Sequence, residues 1–103
     1  MSKYSIPSNI RLDATKAPSG IEIWKVCFDL AEMLVEKNKS YGDSALNPVR
    51  IFSKSDPAEQ LRVRIDDKLS RLMRGTEYVG DNDIDDLIGY LVLLKIAKEQ
   101  NVN

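Results

Sequence analysis

One segment constrains this chain more than any other. Gly80-Asp81-Asn82-Asp83-Ile84-Asp85-Asp86-Leu87-Ile88-Gly89-Tyr90 runs straight into Leu91-Val92-Leu93-Leu94-Lys95-Ile96. Acids crowd its head, and the rest is apolar on nearly every side of a helix. A helix of that kind must be covered, because a surface helix keeps one polar face. Acids at a helix N-terminus are ordinarily favourable, since unpaired N–H groups and the dipole welcome negative charge. That explains Asp81 and Asp83 more readily than Asp86, which lies about a turn inside among Leu87, Gly89, Tyr90 and Leu93. A carboxylate there needs a partner, and a metal ion is one candidate.

The remaining periodicities are also helical. From Ile21 to about Lys39, Ile23, Cys27, Leu30 and Leu34 form one stripe, with Trp24, Phe28, Ala31 and Val35 beside it. Lys25, Asp29, Glu32 and Glu36 take the other face. Gly42, Asn47 and Pro48 then break the helix into a loop. Asp56-Pro57-Ala58-Glu59 is a helix start, with Asp56 as cap, Pro57 in the first turn and Glu59 able to close a capping box. The second helix extends to about Arg74, with Leu61, Ile65, Leu69 and Leu72 on its expected core face. Gly75 to Gly80 is a short connection, and the last helix spans about Asp83 to Gln100. Val49-Arg50-Ile51-Phe52 is the sole strand candidate. The expected fold is all-α: an irregular arm over residues 1–20 and a three-helix domain over 21–103. The last helix exceeds what so short a chain can cover, so the first and last helices are expected to pack against copies of themselves in an oligomer.

Composition removes whole classes of chemistry. The 103 residues include no His and one Cys, Cys27. Ser/His and Cys/His catalysis, His-type zinc sites and intrachain disulfides are therefore excluded. The formal net charge of −1 argues against nucleic acid as a partner. No apolar stretch suits a leader or a membrane span, so a cytoplasmic protein without membrane contact is expected.

Four constellations could carry chemistry. Asp83, Asp86 and Tyr90 fall within about 60° of one another on an ideal helix; capping plus a buried Tyr hydroxyl would explain them equally. Glu32 and Glu36 share a face, as carboxylates for a metal or as an ordinary solvated pair. Arg64, Lys68 and Arg71 are spaced to clamp phosphates, with Asp67 as a further metal ligand or orienting group; the alternative is an exposed, self-compensating face. In Lys37-Asn38-Lys39-Ser40-Tyr41-Gly42-Asp43, Tyr41 can stack on a base and Lys39 can meet a phosphate. A routine helix C-terminus has the same residues. Together, acid clusters flanked by Lys and Arg suit Mg²⁺-dependent handling of a nucleoside triphosphate.

Those motifs, Lys37-x-x-x-Tyr41-Gly42-Asp43, Arg64-x-x-Asp67-Lys68-x-x-Arg71-Leu72 and Asp83-x-x-Asp86-Leu87-x-x-Tyr90, span about residues 30–95. In order and spacing they resemble the nucleotide modification associated domain of phages and bacteria, related to the MazG-like all-α NTP pyrophosphohydrolases. The resemblance implies cleavage between the α- and β-phosphates of a nucleotide, with Mg²⁺ as cofactor, in a dimer or tetramer of helical bundles. It implies Asp83 and Asp86 as the second metal pair and Glu32 and Glu36 as the first. The latter are four apart where the family has three, and Asp67 would supply the missing ligand. Glu36, Asp67 and Asp86 then stand as catalytic candidates; Lys39, Tyr41, Arg64, Lys68, Arg71 and Tyr90 as nucleotide contacts. The rival expectations are a helical module that sequesters a nucleotide without turnover, and a helical protein-interaction or regulatory protein.

Overall fold

The computed structural model describes residues 14–75 and 82–100. It contains a 3-10 helix (Ala14–Lys16) and three α-helices: α1 (Gly20–Ser40), α2 (Pro57–Arg74) and α3 (Asp83–Gln100). No strand occurs among the described residues, and Val49–Phe52 is an irregular segment. The arm expected over 1–20 is thus partly helical; its first thirteen residues, and most of the Gly75–Gly80 connection, lie outside the described residues. The chain divides into two compact units, Met1–Lys37 and Asn38–Asn103.

In the first unit, the turn from the 3-10 helix into α1 depends on Gly20. Its N–H donates to the Ala17 carbonyl at 3.1 Å. A Cβ built at Gly20 would stand 1.8 Å from the Ala14 carbonyl oxygen, which no side chain tolerates. Only glycine lets the two backbones approach so closely. Along α1, Ile23, Val26 and Val35 are exposed, while Trp24, Phe28, Leu30 and Leu34 are half-buried.

The second unit is built on a helical hairpin. Asp56 caps α2 by accepting from the Glu59 N–H at 2.8 Å, and Pro57 opens the helix. The carboxylate of Glu59, the other half of the expected capping box, is paired with Arg62 at 3.3 Å. Gly75 closes α2 at φ 69°, donating to the Leu72 carbonyl. Asn82, not an aspartate, caps α3: its Oδ1 accepts from the Asp85 N–H at 3.1 Å, and its Nδ2 donates to the Asp85 carboxylate at 3.0 Å. Both groups at this helix start are satisfied reciprocally.

α2 and α3 pack on each other around Ala58, Leu61 and Ala97, with Ala45, Leu46, Tyr90, Leu93 and Leu94 against them. The buried line of α2 is Ala58, Leu61 and Lys68; of the expected face, Leu61 is buried and Ile65 half-buried, while Leu69 and Leu72 are exposed. The small side chains of Ala58 and Ala97 let the helices approach, and the contact rotates toward the charged stripe. No described helix is long and apolar enough to cross a membrane.

Candidate functional site

Two stripes that read as separate features face each other across the hairpin. Arg64, Lys68 and Arg71 lie four and three residues apart on α2; Asp83, Asp86 and Tyr90 lie three and four apart on α3. Running antiparallel, they meet rung by rung. Arg71 Nη1 stands 3.9 Å from Asp83 Oδ1. Lys68 Nζ lies 3.1 Å from Asp83 Oδ1 and 3.0 Å from Asp86 Oδ2. The Arg64 guanidinium carbon is 6.0 Å from the centre of the Tyr90 ring, at cation–π range.

The middle rung is interior. Lys68 is 8% exposed and Asp83 2%, so one ammonium and one carboxylate are removed almost wholly from water. The Asp86 side chain retains 21% and that of Arg71 36%, which makes them the rim. The hydrogen bond to Asp86 is the main cause that holds the Lys68 ammonium above its ordinary value of 10.5. Burial acts in the opposite direction, and the bond to Asp83 and the charges of both carboxylates reinforce the rise. Lys68 is therefore a charged group at any physiological pH.

The expected salt-bridged surface on α2 is thus corrected in part: Lys68 is buried in the helix contact, while Arg64 and Asp67 are exposed. The buried carboxylate of α3 has a protein cation as partner. Asp67 sits next to Lys68 in the chain, but no bond of the cluster is made through it. Glu32 and Glu36 are exposed on α1, in the first unit. Lys39 and Tyr41 are exposed at and beyond the end of α1, in the second. Among the described residues no three Asp, Glu or Cys side chains gather as a metal-ligand group.

At the end of α1 the backbone forms a Schellman cap. The Asp43 N–H donates to the Asn38 carbonyl at 3.0 Å and Gly42, at φ 61°, donates to that of Lys39 at 3.4 Å. Tyr41 stands at this cap, 66% exposed. Comparison with known protein families, with curated proteins and with solved structures finds no match to the chain.

Proposed function

We propose that this chain is an Mg²⁺-dependent nucleoside triphosphate pyrophosphohydrolase-like protein of nucleotide metabolism. One observation carries the reading: Asp83 and Asp86, one turn apart, converge on a single cation, the Lys68 ammonium. Two hard carboxylate oxygens aimed at one positive centre are the donor chemistry that Mg²⁺ takes. Mg²⁺ usually needs only one or two carboxylates, because substrate phosphates and water complete its shell. Asp83 and Asp86 would hold the ion. Bound there, it would neutralise phosphate charge and activate a water.

The chain's own groups supply the rest. Arg71 at the rim and the exposed Arg64 would take phosphate oxygens through their guanidinium forks. With an ion at the aspartate pair, the Lys68 ammonium would be displaced from it and, once freed, would balance the charge of a polyphosphate. Asp67, an exposed carboxylate on α2, is the candidate for proton removal from water. Buried charge is costly and clusters at functional sites, which is why this rung is read as more than a staple.

Pyrophosphate release from a panel of NTPs and dNTPs tests the reading. Wild type releases pyrophosphate only with Mg²⁺, and Asp86→Asn, which keeps the shape but not the charge, releases none. A wild type that releases none from any nucleotide ends the enzyme reading. The closure of the aspartate pair by Lys68 favours a second reading, a helical module that binds nucleotide without turnover. Its mark is a nucleotide that stays bound in EDTA and is recovered intact.

We also infer a homo-oligomer, a dimer or tetramer. Ile84, Leu91 and Val92 on α3 and Ile23, Val26 and Val35 on α1 leave large apolar side chains exposed. Light scattering at micromolar concentration should give a multiple of the 11.6 kDa chain mass; a clean monomer refutes it.

A further inference from the structure

Asp43 has more bonds than a loop residue needs. Its carboxylate accepts from Asn38 Nδ2 at 2.7 Å through one oxygen and from Asn47 Nδ2 at 2.5 Å through the other. Its N–H donates to the Asn38 carbonyl, and its own carbonyl accepts from Leu46 and Asn47 at 3.2 and 2.9 Å. Each of its polar groups is engaged, in a residue at φ 63°. Left-handed backbone is unfavourable for a side-chain-bearing residue and persists only where surroundings hold it. The Schellman cap accounts for Gly42 but not for this second left-handed residue. Ala45 and Leu46, just beyond, pack on the Ala58–Leu61–Ala97 core of the hairpin. The loop is thus clamped by Asp43 and seated on the helix pair that bears the charged stripes. What it presents is Tyr41, aromatic and 66% exposed.

We propose that Asp43 is a positioning residue for nucleobase recognition: its clamp holds Tyr41 outward as a rigid stacking surface. This rests on the nucleotide reading above and deepens it by assigning the base to the Tyr41 loop. A loop whose backbone is already ordered accepts a base without a backbone ordering cost on binding. Stacking tolerates any base, since each has a π-face. The clamp uses neutral amide donors on both oxygens, so Lys39 is left out of it.

The experiment is a double-mutant cycle on the full chain, with 2-aminopurine deoxynucleoside triphosphate and Mg²⁺ as the probe, read by affinity and by fluorescence quenching on stacking. Tyr41→Ala should lose the quench and about 5- to 150-fold in affinity. Asp43→Ala should lose part of both, and Asp43→Asn, which tolerates left-handed backbone and can exchange amide bonds with its neighbours, should recover most. The double variant Tyr41→Ala/Asp43→Ala should be no weaker than Tyr41→Ala alone, because Asp43 acts through Tyr41. Amide exchange of α2 and α3 should be the same in all four. Losses that multiply in the double variant, or full quenching in Asp43→Ala, overturn the proposal and leave the nucleotide reading standing. A wild type that binds neither this probe nor any natural triphosphate overturns both.

Discussion

Lys68→Met lowers the stability of the folded chain by about 3 kcal/mol or more, since breaking a buried ion pair from one side typically costs about 3–5 kcal/mol. The reason is Asp83, 2% exposed, which loses an ammonium at 3.1 Å. Methionine fills the volume of the lysine stem, so the loss reports charge rather than a cavity. Urea unfolding should show a lower midpoint with an unchanged slope. An unchanged midpoint would mean that the rung contributes nothing. The same rung has a pH signature. Lys68 is held above 10.5 in the folded chain, so its contribution is fully present below 10.5 and is lost as pH rises through the higher folded value. Wild type should therefore lose stability in the strongly alkaline range, and Lys68→Met should not lose that part.

Leu61→Ala is the second large effect, in the upper part of the roughly 2–5 kcal/mol range for such truncations. Leu61 is 1% exposed and is the only large apolar side chain among the described residues buried to that degree. The other two buried members of its cluster, Ala58 and Ala97, are too short to swing into the space it vacates. Leu46, Leu93 and Leu94 are partly exposed already and gain little by moving. Domains of this size have total stabilities of about 5–15 kcal/mol, so a loss of about 4 kcal/mol is a large fraction. Thermal melting should show it as a drop of roughly 10 °C or more, from a few degrees per kcal/mol. A shift below about 3 °C would mean that the hairpin core is not what holds α2 to α3.

The helices were legible because their signals are local. Asp56-Pro57 and Gly75 mark the ends of α2 with capping groups, and the α1 and α3 limits follow the apolar period to within a residue. Asn82-x-x-Asp85 has the spacing of a reciprocal cap, but three acids within the next four positions satisfy the same helix-start pattern and mask it. The inward turn of Lys68 was not legible. Periodicity sorts a lysine to the surface, and only the partner stripe on α3 reveals that Arg64, Lys68 and Arg71 meet Asp83, Asp86 and Tyr90 in antiparallel order. The need of the α3 carboxylates for a cation was legible; which cation answers it depends on a contact between distant segments. The Asp43 clamp left no sequence signal, since Asn38 and Asn47 look like ordinary loop residues until the backbone brings them to one carboxylate.

Melting curves of wild type and of the variant Lys68→Met/Asp83→Leu/Asp86→Leu, each with and without Mg²⁺ and a nucleoside triphosphate, test most directly whether the buried rung is kept for a ligand. Replacing a buried ion cluster by apolar side chains of similar size is often neutral or stabilising. The variant should therefore melt near wild type, and nucleotide should leave it unmoved. Wild type should rise by several degrees, as a ligand at about 100 times its dissociation constant adds roughly 2.7 kcal/mol. Equal shifts in the two proteins, or no shift in wild type, would contradict the assignment of the Lys68–Asp83–Asp86 rung as a nucleotide site.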